Sequence, residues 1–314
     1  MKTKDKVSEL PLIELERVGK KYNGISVLDE VSMRIEPGSA TAIIGRNGSG
    51  KSTMLSILAG LIQISCGRLL YKEKGMRIGY APEIFPGLKF TPEEFLRCVG
   101  RLHGFAPVEI DRRISELLVC FRLESYRTRP MESFSKGMLQ KVNLMQSMLV
   151  RPSLLLLDEP MSGLDAPAKE SLLECVSDMK RQGTALVFSV HEPQWIKALA
   201  DNVHVLQTGR TIRTINRSEL HSTSYSRISY RGLSQQESNT QLEQMPGFLS
   251  WDTSVEQMGY DCSLISVQAS HCDTFLRNIL DAGGSVISVE RIGGLSGLES
   301  WMTPKASNLR GSES

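Results

Sequence analysis

At 314 residues and 40% apolar content, the chain exceeds one ordinary domain and can bury a sizeable core, so two domains are expected. Its net charge of +2 excludes a basic field over the whole surface of the kind nucleic acid requires, although residues 211–314 carry eight basic and eleven acidic side chains and leave about +5 on the rest. Six cysteines show no C-x-x-C pair or metal-ligand spacing, the charged start lacks an apolar h-region, and no run reaches about 20 apolar residues; the expectation is reduced thiols in a soluble, cytoplasmic chain.

From the N-terminus, Tyr22 is expected on a turn before an extended stretch at 26–31, its ring either a stacking platform for adenine or an ordinary exposed aromatic. An apolar stretch at 40–44 leads into Gly45-Arg46-Asn47-Gly48-Ser49-Gly50-Lys51-Ser52-Thr53 and then into an uncharged helical stretch at 53–61. This G-x-x-x-x-G-K-[ST] order between strand and helix points to a phosphate cradle. Glycines 45, 48 and 50 let backbone N–H groups curl round an anion at the positive end of the following helix. Lys51 can reach the β- and γ-phosphates of a nucleotide, and the Ser52 hydroxyl can ligate the Mg²⁺ that bridges them.

Residues 83–90, Glu-Ile-Phe-Pro-Gly-Leu-Lys-Phe, read either as a socket for a partner helix or as a loop packed on its own helical region, with helices predicted at 92–102 and 108–121. Ser135 sits at an N-cap position before a helix at 139–150. With Gly137 it would make another anion site, although the same pattern is that of a well-capped helix. The run 154–157 has the length and apolarity of a central parallel strand, with Asp158 and Glu159 at its carboxyl end, where ligands bind in such sheets. There Asp158 can hold Mg²⁺ and Glu159 can polarise the water that attacks a γ-phosphate. A β-prone run at 184–190 then delivers His191, a donor able to report whether that phosphate is present.

The composition changes after about Ile215. Polar residues from 218 to 244 read as a linker plus a polar helix at 235–245, followed by strands at 248–251 and 263–267, a helix at 273–281 and a strand at 285–290. With a strand at 226–230 the order is βαββαβ, the ferredoxin-like split-βαβ pattern, and the last residues, from about Thr303, read as disordered. No catalytic constellation falls in this region, and His271 beside Cys272 lacks further metal ligands.

Together these pieces resemble the ATP-binding subunits of ABC transporters over about residues 10–215, through order and spacing rather than any single motif. Tyr22, a Walker A loop at 45–53, a Q-loop-like Ala81-Pro82-Glu83, a signature Phe134-Ser135-Lys136-Gly137-Met138, a Walker B at 154–159, a D-loop Ser162-Gly163-Leu164-Asp165 and a switch His191 occur in family order. The resemblance implies an α/β P-loop ATPase domain at 1–215, with a mixed-sheet core and a helical subdomain at about 88–150. A small α+β accessory domain at 216–302 and a tail at 303–314 complete the chain.

It also implies that ATP and Mg²⁺ are held by residues 45–53, Tyr22, Glu83, Asp158 and Asp165, with Ser135 and Gly137 supplied across a dimer of two ATP-binding subunits, identical or different. Hydrolysis would rely on Lys51, Glu159 and His191 and would drive an integral-membrane permease, placing the chain on the inner face of the cell membrane without a nucleic-acid partner.

Two positions depart from the commonest pattern: Glu83 stands where glutamine is usual, and the signature reads Phe-Ser-Lys-Gly-Met for Leu-Ser-Gly-Gly-Gln. Both resemble the branch that powers drug, peptide or lipid exporters, so export is the expectation. The alternatives are the ATPase of an importer or a soluble ABC ATPase acting on ribosomes or DNA; relatives of the latter kind usually carry two cassettes or a long coiled-coil insertion, which this chain lacks. Possession of Lys51, Asp158, Glu159 and His191 together argues against a non-hydrolysing regulatory subunit.

Overall fold

The computed structural model describes residues 10–220, 225–232, 242–251 and 262–292. These residues fall into two compact units that meet between Ile215 and Asn216. The expected helical residues 235–241 and the expected tail at 303–314 lie outside the described residues.

In the first unit, β1 (Ile13–Tyr22), β2 (Ile25–Ile35) and β4 (Cys66–Tyr71) form an antiparallel sheet in the order β2-β1-β4. The second sheet runs β5-β6-β7-β3-β8-β9, built from β3 (Ala40–Ile44), β5 (Ile78–Ala81), β6 (Leu154–Leu157), β7 (Ala185–Ser189), β8 (Asn202–Gln207) and β9 (Arg210–Asn216). Strands β5, β6, β7, β3 and β8 pair in parallel, so the carboxyl ends of β3, β6 and β7 emerge along one edge. Every residue of β3, β6 and β7 is buried, as suits central parallel strands that are apolar except for Thr41 and Ser189.

Helix α1 (Lys51–Leu58) lies between the two sheets. Its Met54, Leu55, Ile57 and Leu58 share one core with Ile13, Leu15, Val31 and Ile35 of the antiparallel sheet and with Leu154, Leu156 and Val187 of the parallel one. The helix begins two residues earlier than the expected Thr53, directly after Gly50, and stops at Leu58, ahead of Gly60, whose φ of 73° is a backbone conformation that no helix continues through.

Helices α2 (Pro92–Leu102), α3 (Pro107–Cys120) and α4 (Lys136–Met148) build the helical region between β5 and β6. Helix α2 opens with a capping box in which Thr91 and Glu94 satisfy each other's backbone N–H groups, and Pro92 supplies a pre-set φ at its first turn. Helix α4 starts at Lys136 rather than near Leu139, because Ser135 caps it by accepting from the Met138 N–H at 3.3 Å. Tyr22 is the last residue of β1 and not part of the turn, which consists of Asn23 and Gly24, both with positive φ. Helices α5 (Ala166–Arg181) and α6 (Pro193–Leu199) complete this unit, and the free Cys120 and Cys175 thiols share a hydrogen bond at 3.3 Å.

The second unit holds α7 (Arg217–Leu220), β10 (Tyr225–Arg231), β11 (Phe248–Trp251), β12 (Cys262–Gln268), α8 (Cys272–Asp281) and β13 (Ser285–Ile292). Its strands make one antiparallel sheet in the order β11-β12-β10-β13. Phe275 and Ile279 of α8 pack on Ile228, Tyr230, Ile265 and Val267, one face of β10 and β12.

Burial also sets a pH dependence. His204 on β8 is 6% exposed, and desolvation of the charged imidazolium pushes its pKa down to about 4. The unfolded chain takes up this proton below about 6.5 and the folded chain resists until about 4, so His204 withdraws stability as pH falls through that window, on the order of 3 kcal/mol in all. Urea midpoints measured from pH 7 to pH 4 are expected to fall less steeply in His204→Leu than in the parent chain; parallel slopes would contradict the assignment.

Candidate functional site

The cradle follows from local chain geometry. Strand β3 ends at Ile44 and the chain must turn into α1 while passing close to its neighbours. A Cβ on Gly45 would sit 2.3 Å from the Leu206 carbonyl oxygen, and one on Gly50, with φ 104°, would sit 2.9 Å from that of Val27. No side chain fits either position, so glycine here is a steric requirement. The Ser49 hydroxyl is buried inside this turn without a hydrogen-bond partner among the described residues.

Lys51, the first residue of α1, is only 6% exposed. Its ammonium donates to the Gly45 carbonyl at 2.9 Å and lies 3.8 Å from Glu159 Oε1. A lysine this buried holds its charge by facing oxygen atoms, which defines one wall of an anion site.

The opposite wall comes from β6 and β7. Asp158, 1% exposed, follows the last residue of β6, and its Oδ1 accepts the Ser189 O–H at 2.7 Å. Glu159 takes a left-handed backbone with φ 45°, a costly conformation for a residue with a Cβ, and its N–H donates to the same Ser189 Oγ at 2.8 Å. His191 Nε2 lies 2.8 Å from Glu159 Oε1, although without directed hydrogen-bond geometry.

These walls enclose a cleft of about 480 Å³, within the size range of small-molecule sites. It is lined by Asn47, Gly48, Gly50, Lys51, Ser52, Thr53, Glu83, Asp158, Glu159 and His191 among the residues expected from sequence. Val27 and Ser162 also line it and were not among the expected site residues. A polar residue ending β7 two places before His191, Ser189, was missed as well; its only trace in the sequence is a hydroxyl in an otherwise apolar run.

Of the other residues expected from sequence, Tyr22, Gly45, Arg46, Ser49, Ser135, Gly137 and Asp165 do not line this cleft. Tyr22 is 42% exposed, with the Lys20 ammonium 4.8 Å from its ring centre. Ser135 and Gly137 open α4 against the loop after β6: a Cβ on Gly137 would meet the Gly163 carbonyl oxygen at 2.4 Å. Gln140 donates to the Pro160 carbonyl at 3.2 Å, and Lys141 lies 3.7 Å from Asp165, which caps α5.

One face of α4 continues this seam. Asn143 donates to the Pro82 carbonyl at 2.7 Å and Gln146 to the Tyr80 carbonyl at 2.6 Å, each also bonding the amide one turn back. Helix α4 is thereby fastened both to the segment that carries Glu83 and to the loop at 160–165. Beyond it, Ile84 is 82% exposed while Phe85 packs edge-on against Phe95 of α2 at 5.5 Å, so the loop is packed at one residue and open at the next.

The donor set suits a magnesium nucleotide. An unpartnered buried hydroxyl in a turn of backbone N–H groups, a buried lysine, and the hard oxygens of Ser52, Asp158 and Glu83 on facing walls match a polyphosphate and a small hard cation. Among the described residues no helix is long and apolar enough to cross a membrane.

The sequence profile of the ABC transporter family matches residues 28–162. An uncharacterised ABC transporter ATP-binding protein of Methanocaldococcus jannaschii is 33% identical over 205 residues, 64% of this chain and 76% of that protein. The zinc import ATP-binding protein ZnuC of Halorhodospira halophila is 32% identical over 206 residues, 64% of this chain and 75% of its own. Among solved structures, an ATP-binding subunit of an ABC transporter matches with a TM-score of 0.63 at 30% identity, over 67% of this chain and 91% of that one. With the cradle, the paired carboxylates and the parallel strands that present them, these matches make the chain a member of the ATP-binding subunits of ABC transporters, P-loop ATPases that hydrolyse ATP to power transport.

Proposed function

We propose that the cleft binds MgATP and hydrolyses it between two ATP-binding subunits, and that the energy is spent on export through a separate membrane permease. Subunits of this family dimerise and work with such permeases. The observation that carries the reading is the meeting of the Lys51 cradle, Asp158, Glu159 and His191 in one cleft that Ser135 and Gly137 do not line.

Residues 45–53 and Lys51 hold the phosphates, while Ser52, Asp158 and Glu83 supply oxygens for Mg²⁺. The cation, when bound, neutralises charge on the β- and γ-phosphates. Glu159 accepts a proton from the water that attacks the γ-phosphorus, and the bridging oxygen leaves with ADP. His191, beside Glu159 Oε1, donates to the γ-phosphate oxygens and Tyr22 stacks on adenine. Asp165 contributes to nucleotide binding, and Ser135 and Gly137 of one subunit complete the site of the other, so the γ-phosphate favours the closed dimer and its loss reopens it.

Export is supported by Glu83 and by the Phe-Ser-Lys-Gly-Met signature. The importer reading has its own support, since relatives include the zinc import protein ZnuC and, at 31% identity, the cobalt import protein CbiO of Rhodobacter capsulatus. A neighbouring reading frame for a multi-span membrane protein favours export; one for a solute-binding lipoprotein favours import. We place the ATPase domain at 1–215, with its helical subdomain at about 88–150. An accessory ferredoxin-like domain at 216–302 follows, with a tail at 303–314, and the whole associates with the inner membrane face through its permease.

Glu159→Gln is expected to lower kcat by about 100-fold or more while ATP binding persists, and Lys51→Ala to abolish binding, both read by phosphate release and by calorimetric titration with ATP. Unchanged turnover in Glu159→Gln would refute the general-base assignment.

A further inference from the structure

Among the fully buried hydroxyls that the functional assignments above leave unused, that of Ser189 touches the site. Ser189 is the last residue of β7, 0% exposed, and its Oγ serves both halves of the carboxylate pair at once. It donates to Asp158 Oδ1 at 2.7 Å and accepts from the Glu159 N–H at 2.8 Å. The parallel register explains the reach: Leu157 pairs with Phe188, so the next residues along, Asp158 and Ser189, stand side by side where the two strands end.

We infer that Ser189 is a positioning residue for ATP hydrolysis, fixing the metal-binding carboxylate of Asp158 and the left-handed turn that aims the Glu159 carboxylate into the cleft. The inference rests on the roles given above to Asp158 and Glu159.

Each contact has a distinct consequence. Because the hydroxyl proton is committed to Oδ1, the Asp158 carboxylate is held in one orientation before any cation arrives, and a pre-oriented oxygen binds a small, geometry-demanding cation better than a rotating one. Glu159, with φ 45°, occupies a backbone well that a residue with a Cβ leaves unless something holds it there. Its N–H bond to Ser189, together with the Asp158 N–H bond to the Ala81 carbonyl at 2.9 Å, is that restraint. Freed of it, the turn relaxes toward a right-handed conformation and carries the carboxylate away from Lys51 and His191.

The position is sealed from solvent, so a methyl at residue 189 would leave a buried N–H and a carboxylate oxygen without partners. Threonine keeps the hydroxyl; alanine does not. The Lys51 ammonium, by contrast, is held by other groups: it bonds the Gly45 carbonyl and comes to 3.8 Å from Glu159 Oε1. Contact with the phosphates therefore survives loss of the hydroxyl, whereas metal response and water activation do not.

The test compares Ser189→Ala and Ser189→Thr with the parent chain in three measurements. These are kcat with the Mg²⁺ concentration giving half-maximal turnover, the affinity for ATP in excess EDTA, and the rise in melting temperature on adding Mg²⁺ to the ATP-bound protein. For Ser189→Ala the expected results are a fall in kcat and a rise in half-saturating Mg²⁺ of about 10- to 100-fold each. The Mg²⁺-dependent rise in melting temperature should shrink while metal-free ATP affinity stays unchanged, and Ser189→Thr should restore all three readouts. Should the alanine variant be insoluble, Ser189→Cys, of similar size and with a weak donor, is expected to move the same readouts in the same direction. Unchanged metal dependence, a parallel loss of metal-free ATP affinity, or failure of Ser189→Thr to rescue would each overturn the inference. Glu159→Gln assayed alongside separates the two levels: if it keeps full turnover, the site assignment itself fails, and if it is inactive while Ser189→Ala is normal, only the positioning role fails.

Discussion

Side-by-side placement of three strand ends is the constraint on which the molecule depends. β3 delivers the cradle and β7 delivers Ser189 and His191. β6, pairing with β7 but not with β3, delivers Asp158 and Glu159 across from the cradle. Parallel pairing puts all of these groups at one edge of the sheet. The buried, largely apolar interiors of the three strands hold that edge in place, because pulling a strand out of the sheet would expose apolar side chains on both of its faces. Helix α1, wedged between the two sheets by Met54, Leu55, Ile57 and Leu58, cannot shift without opening the core.

In the proposed reading this edge makes half of a nucleotide clasp. The other half is assigned to α4, whose start is pressed against Gly163 so closely that Gly137 admits no side chain. Its amides at buried Gln140 and Asn143 and half-buried Gln146 reach the backbone of both the loop after β6 and the segment before Glu83. Buried polar groups that are fully paired resist independent movement, since separating them strands polar atoms away from water. Movement of the Glu83 segment therefore drags α4 and its Ser135 with it, a mechanical link between the region beside exposed Ile84 and the residues proposed to meet the neighbouring subunit's phosphate.

Those parts of the site that are contiguous in the chain were legible in the sequence. A glycine-rich turn between an apolar strand and an uncharged helix can do little else, and Asp158 and Glu159 at the end of four leucines mark a strand's carboxyl end without reference to anything distant. Ser189 was not legible, because its role arises from register between two strands that lie about thirty residues apart in sequence. Val27 was missed for a similar reason, being brought to the cleft from β2, whereas Ser162 belongs to the D-loop run already named and was not singled out as a site residue. Tyr22 was read as a turn residue because Asn23 and Gly24, which make the turn, follow it directly. In the second unit the strands could be anticipated from alternation, as in β10, where Ser226, Ile228 and Tyr230 point inward, and the split-βαβ pattern puts the first and third strands at the centre, the order that β11-β12-β10-β13 has.

The most direct measurement of the central claim, that each clasp is shared between subunits, is the ATP occluded by mixed dimers carrying Lys51→Ala and Ser135→Arg. Placed on opposite subunits, the two substitutions strike the same clasp and the other remains whole, so one nucleotide is retained per dimer. Placed on the same subunit, they strike both clasps and none is retained. The reverse pattern, retention only when both substitutions share a subunit, would contradict the account.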